Sequence, residues 1–223
     1  MSAKGIGGRE SKEAILDSVR RSLRRTGPLP ASVISALDRR LDHPTLNPLP
    51  ALADDPIDLF MRKADIVHTR VSRAPDRARV SDIVLQHIAE HDLENTIAIA
   101  PEISDLPWSN RLSVEARAAS AQDRIGVTGA FAGIAETGSV MLLSGANSPT
   151  TLNFLPEDHL VVLAESRIVP HIEDAWAMLR KERDSMPRTV NLICGPSKTG
   201  DIEITILEGA HGPRRLHVIL VRE

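Results

Sequence analysis

Six short apolar runs constrain this chain most: TIAIA (96–100), IGVTGAF (125–131), GSVMLLSG (138–145), HLVVLAE (159–165), TVNLICG (189–195) and RLHVILV (215–221). Continuous apolar runs of this length read as strands buried on both faces, and such strands need helices over each side of their sheet. Helical segments lie between them. RARVSDIVLQHIAEHD (77–92) sets Val80, Ile83, Val84, His87 and Ile88 on one face. Pro170 opens HIEDAWAMLRKERD, with acids in its first turn and bases in its last, as the helix macrodipole favours. Residues 55–64 predict a short helix, IVHTRVS (66–72) a strand, and SVEARAASAQ (113–122) has helical composition. The expected fold is α/β, a mainly parallel sheet flanked by helices.

Upstream the pattern changes. SKEAILDSVRRSLRR (11–25) carries Ile15, Val19 and Leu23 at helical spacing, with Ser11 to cap it and Gly27-Pro28 to stop it. Residues 26–56 are rich in proline and read as an arm, with room for a short helix around 31–41. The predicted organisation is an N-terminal helical arm, residues 1–54, and one α/β domain, 55–223, within reach of a single core for a chain of 223 residues. Residues 1–40 carry a net charge of +5 and the remainder −8. The basic part reads as a solvated helix face or as a dock for an acidic partner.

Composition removes several function classes. With two Trp, three Phe and no Tyr there are few stacking platforms for bases, and a net charge of −3 gives phosphate backbones no general attraction, so no nucleic-acid partner is expected. No apolar run reaches 18 residues and the N-terminus lacks an apolar signal core, so neither a membrane span nor export is expected and the location predicted is cytoplasmic. Cys194 is the single cysteine. It permits no internal disulfide, no cluster held by four thiolates and no cysteine-based zinc site, and at the end of an apolar run it is expected to be buried.

Two stretches carry candidate chemistry. In GVTGAFAGIAETGSVML (126–142), four glycines allow tight turns but match neither the dinucleotide fingerprint nor the P-loop. Glu136-Thr137-Gly138 stands at the mouth of the following strand, where desolvation would raise a carboxyl pKa and suit it to acid, base or nucleophile work; the competing reading is a glutamate capping a turn. In GPSKTGDIEITILEGAHGPRR (195–215), Asp201 and Glu203 share a face if 201–206 is extended, or complement a helix start if Thr199 is a cap. His211 sits in the rigid turn Gly209–Pro213. The spacing is not of the HExxH type, so no metal site is assigned and a polar network beside a small-molecule pocket is preferred. In SGANSPTTLNFLPEDHLVVL (144–163) no serine lies in a nucleophile elbow.

IAETGSVML, LPEDHLVVL, IVPHIEDAW, GPSKTGDIE and EGAHGPRRLHVILV, in that order, resemble the lactate-utilisation protein C family, also called the LUD-domain or LutC/YkgG family. The resemblance covers roughly 55–223. It implies a fold of the NagB/RpiA/CoA transferase-like type and a role in oxidising L-lactate to pyruvate beside cysteine-rich iron–sulfur proteins. It implies no cofactor of this chain's own. Glu136-Thr137-Gly138 also resembles the Glu-Asn-Gly segment of CoA transferases, with Thr137 where Asn is usual. These resemblances make Glu136 and His211 candidate catalytic residues, and Thr137, Gly138, Ser197, Asp201, Glu203, Gly212, Arg214 and Arg215 candidate ligand-binding residues for a small carboxylate.

Two expectations of different class follow. One is a non-redox subunit of an iron–sulfur lactate-oxidation system. The other is a self-sufficient transferase or isomerase acting on a small anionic or CoA-linked substrate, with Glu136 as nucleophile or base. A blander assembly or regulatory role would leave the pocket without chemistry.

Overall fold

A computed structural model describes residues 8–25, 27–43, 48–199, 207–209 and 211–222. The chain divides into two compact units, Met1–Leu49 and Pro50–Glu223. The first holds α1 (Gly8–Ser22) and α2 (Ala31–Asp42). Pro30 precedes α2, and Arg39 and Arg40 fill its last turn, each where helix-end chemistry places it.

The second unit begins with α3 (Pro56–Ile66), started by Asp55, whose carboxylate accepts the amides of Ile57 and Asp58, and by Pro56 at the first helical position. There follow β1 (Arg70–Ala74), α4 (Val80–Glu90), β2 (Thr96–Ile99), β3 (Ser113–Ala116), β4 (Ile125–Gly129), β5 (Ala132–Ile134) and β6 (Ser139–Leu143). The short α5 (Thr151–Phe154) leads to β7 (Asp158–Ala164) and β8 (Ile168–Val169), and α6 (Ile172–Glu182) to β9 (Val190–Ile193). β10 (Lys198–Thr199) and β11 (Leu207–Glu208) pair antiparallel ahead of β12 (Arg215–Val221).

The main sheet has six strands in the order β1-β12-β7-β4-β2-β3, and every pairing is parallel. Alternation along its central strands feeds two cores. Leu160 of β7 and Ile219 of β12 face Val80, Val84 and Ile88 of α4, while Val161 and Leu220 face Leu59, Phe60 and Ala64 of α3.

The expected α/β architecture with a parallel sheet is therefore present, with a second sheet that the pattern did not separate. This one has the order β8-β5-β6-β9 and mixed direction. It packs on the α3 side of the main sheet through Val140 and Leu142, and its other face meets Ala175 of α6 through Ile134 and Met141. An apolar run looks the same in either sheet, because both of its faces are covered in each.

Other local readings are corrected. Residues 113–116 form edge strand β3 rather than a helix, because pairing with β2 supplies bonds that outweigh the helical preference of the alanines that follow. The strand expected at 66–72 begins only at Arg70; α3 continues to Ile66, and His68 turns the chain at φ 61°. Cys194 is exposed, with its thiol 3.5 Å from the Thr137 carbonyl, because β9 lies at the edge of the second sheet. Among the described residues, no helix is long and apolar enough to cross a membrane.

Candidate functional site

The strand order fixes where a crevice must open. β2 and β4 are neighbours, but the chain leaves β2 for β3 at the sheet's edge, whereas from β4 it passes through β5 and β6 of the second sheet and rejoins the main sheet at β7, on the opposite side of β4. Adjacent parallel strands whose connections depart in opposite directions leave a gap beyond their carboxyl ends, the usual ligand position in open α/β sheets. Here that gap is a crevice of about 500 Å³. Its polar wall is made by Glu102, Ser144, Asn147, Ser148, Arg183 and Ser185.

Glu102 belongs to the single turn that Pro101 starts directly after β2. Its amide donates to the Asn147 carbonyl at 3.0 Å, and its Oε1 accepts the Ser148 hydroxyl at 2.8 Å. Gly129 closes β4 beside it; a Cβ there would stand 3.1 Å from Glu102 Oε1, so glycine lets the carboxylate approach the backbone. Solvent reaches the residue, yet protein atoms crowd its carboxyl from the Gly129 and Ser148 side. That burial pushes its pKa up, against the lowering by Ser148, the Gly129 amide and the charge of Arg183. A carboxyl raised in this way suits proton transfer.

The other wall is set by the end of α6 and the loop after β6. Arg183 caps α6, and its exposed guanidinium has no ion pair among the described residues. Ser144 is pinned to Thr189 by two bonds, its hydroxyl accepting the Thr189 amide at 2.8 Å. Arg183 and Glu102 together offer a cation for a ligand's anionic group and a proton acceptor for its hydroxyl.

The residues expected from sequence lie elsewhere. Glu136 occupies the turn between β5 and β6 with both oxygens engaged: Oε1 accepts the Ile172 amide at 2.8 Å, and Oε2 meets His171 Nδ1 at 3.1 Å. Burial pushes its carboxyl up, but the Ile172 amide and His171 hold it below the usual carboxylate range, contrary to the raised value expected. It caps α6. Thr137 faces Cys194 through its carbonyl. Gly138, at φ 69°, lies against the backbone of α3, where a Cβ would stand 2.3 Å from the Ala64 nitrogen.

Ser197, His211 and Gly212 share one cavity of about 160 Å³. It lies at the amino ends of β7 and β12, not beyond the carboxyl ends, because any crossover between parallel strands must deliver the chain to the start of the next strand. Arg214 is exposed on that rim, and Arg215 pairs with buried Asp158, Nη2 to Oδ2 at 2.6 Å. Asp158 in turn holds His87, which meets His217, which meets Ser72. Asp201 and Glu203 fall outside the described residues. The described residues contain no group of three or more His, Cys, Asp or Glu able to hold a metal.

Residues 57–221 match the LUD domain. Among curated relatives, lactate utilization protein C of Geobacillus sp. (strain WCH70) is 34% identical over 105 residues, 46% of this chain and 44% of that one. The protein of the same name in Exiguobacterium sp. (strain ATCC BAA-1283 / AT1b) is 33% identical over 141 residues, 61% of each chain. Uncharacterized protein YkgG of Escherichia coli (strain K12) is 31% identical over 125 residues, 55% of this chain and 54% of that one. The matches thus span less than two thirds of these relatives. A crystal structure of a DUF162 family protein from Deinococcus radiodurans covers 77% of this chain and 99% of its own, with a TM-score of 0.54 and 20% identity, a likeness of fold.

Proposed function

This chain belongs to the LUD-domain family, and from that premise we propose that it serves lactate utilisation by binding a small hydroxy acid in the β2/β4 crevice, as a component without a redox centre of its own. The observation that carries the reading is the pairing of Arg183, without an ion partner among the described residues, with the Glu102 carboxyl in one crevice. Lactate needs a cation for its carboxylate and a base for its hydroxyl. Arg183 takes the first role and Glu102 the second.

Oxidising the hydroxyl carbon of lactate to a ketone releases two protons and two electrons. Glu102 accepts the hydroxyl proton; the other proton and both electrons pass to an acceptor on cysteine-rich iron–sulfur partners. One cysteine cannot supply a four-thiolate cluster, so the electron carrier belongs to those partners. The crevice is larger than lactate, leaving room for a partner group to approach the substrate carbon.

The test is purification of the tagged chain from lactate-grown cells, followed by lactate-dependent dye reduction in the eluate. Iron–sulfur partners should co-elute with activity, and Glu102→Gln should sharply lower dye reduction without losing the partners. Full activity in both Glu102→Gln and Arg183→Met eluates would remove the crevice from the reaction.

A further inference from the structure

The cavity at the amino ends of β7 and β12 has a feature that loop packing leaves unexplained. His159, the second residue of β7, is fully buried and is one of the residues that line the cavity. Nε2 meets the Thr128 hydroxyl at 2.8 Å, while Nδ1 has no hydrogen-bond partner among the described residues. Leaving such an atom unsatisfied is destabilising, because it forfeits its bond to water without a replacement. Buried polar atoms of this kind are normally matched by something that occupies the adjoining space.

The space suits more than water. Phe154, Ile193, Pro196 and Leu216 supply an apolar wall, with Asn153 and Ser197 as polar points. One water fills only about 30 Å³ and needs two to four polar partners. A cavity near 150 Å³ holds a molecule of about six heavy atoms, the size of benzene. No Asp, Glu, Lys or Arg is among the described lining residues. The titratable groups of the lining are His159 and the exposed His211, so a carboxylate or phosphate buried against His159 would meet no fixed counter-charge there, which costs far more than a neutral group.

We propose that this cavity is a second binding site, taking a neutral molecule of about six to eight heavy atoms whose single hydroxyl or carbonyl completes the hydrogen bonding of His159 Nδ1. Burial holds the imidazole pKa down at about 3, so the ring stays neutral and can accept from a hydroxyl or donate to a carbonyl according to tautomer. This site differs in place and charge from the crevice of Glu102 and Arg183, and the two readings fail independently.

The probes are phenol and benzene, equal in shape but for one hydroxyl, titrated into the full chain and followed by calorimetry. Phenol should bind about tenfold more tightly than benzene, the ratio one added hydrogen bond gives. In the paired variant Thr128→Val/His159→Leu, which removes both partners of the buried bond together, that preference should vanish. If the variant does not fold, histidine-selective ¹⁵N spectra of the native chain decide the matter, since phenol must move the Nδ1 resonance of His159. Equal affinities in the native chain, no binding of either probe, an unmoved Nδ1 or displacement of phenol by lactate would each overturn the proposal.

Discussion

His87 and His217 face each other through their Nδ1 atoms, 3.2 Å apart, in the interior between α4 and β12. One of those nitrogens must carry the hydrogen. For a neutral His87, Asp158 decides which: its carboxylate accepts from Arg215 and can only accept from His87 Nε2, so His87 Nδ1 is the acceptor and His217 Nδ1 the donor. His217 Nε2 is then left to accept the Ser72 hydroxyl at 2.9 Å. One carboxylate thus orients a chain that ties α4 to β7, β12 and β1.

Burial opposes a further proton on His217 and on His159. Burial lowers the His217 pKa to about 3, with the charge of Arg70 adding to the effect, and burial alone lowers His159 to about 3. Both rings are neutral when folded and titrate near 6.5 when unfolded. The unfolded state therefore binds more protons below 6.5, and stability is complete above that pH and falls as pH drops towards 3. Each ring costs up to about 1.4 kcal/mol per pH unit within that window. Urea unfolding at pH 7, 6 and 5 should show this decline, before the lowered carboxyl of Glu136 begins to contribute. Equal stability at pH 7 and 5 would contradict the buried neutral assignment.

Glu136→Gln separates capping from catalysis. Glutamine keeps an acceptor for the Ile172 amide but loses the charge facing His171 and the start of α6. The expected loss is about 1 kcal/mol, the worth of a charge at a helix N-terminus. Because Glu136 is held below the usual carboxylate range, this contribution is present above its unfolded pKa and disappears as pH falls through its folded value. Urea titration of the variant at pH 7 and pH 3 measures both. Unchanged stability with abolished lactate-dependent activity would instead give Glu136 the chemical role that its resemblance to a transferase segment implied.

Two glycine substitutions should fail in different ways. Gly138→Ala places a methyl 2.3 Å from the Ala64 nitrogen at φ 69°, where neither backbone can yield, and should destabilise the domain by several kcal/mol, roughly the range of combined strain and overpacking. Gly129→Ala meets Glu102 Oε1 at 3.1 Å and Ile103 Cγ2 at 3.3 Å, a clash that the glutamate relieves by moving. That variant should fold and lose hydroxy-acid affinity. Thermal melts and lactate titrations on both distinguish the outcomes, and normal lactate binding by folded Gly129→Ala would count against Glu102.

The framework was legible because its signal is local: HLVVLAE and RLHVILV are strands wherever they sit, and their neighbours in the sheet require nothing else. The site was not. Glu102 lies in no motif, and its partners Ser148 and Gly129 come from separate connections that only the order β4-β2 brings together. Arg183 reads in sequence as one more base at a helix end. Glu136 was visible, but its pKa depended, beyond burial, on the Ile172 amide and His171, 36 and 35 positions away and apposed only when α6 docks on the β5–β6 turn. Asp201 and Glu203 were conspicuous by charge alone.

The crevice makes a final kinetic claim. On the proposed reading Arg183 contacts the part of a hydroxy acid that does not change during oxidation, so its bond would be equally strong in ground and transition states. Arg183→Met should raise KM about tenfold or more, as loss of a charged hydrogen bond does, and leave kcat close to native. Glu102 takes a proton only as the hydroxyl reacts, so Glu102→Gln should lower kcat with little change in KM. The glutamate must be ionised to act as base, and its pKa is raised by burial, so native kcat/KM should fall on the acid side at a higher pH than an ordinary glutamate would give. Arg183→Met removes a positive charge that opposes that shift, and should move the acid limb higher still. Steady-state kinetics of the purified complex from pH 4.5 to 8 measures all three effects. An acid limb unmoved by Arg183→Met would mean that the two residues do not share the field of one site.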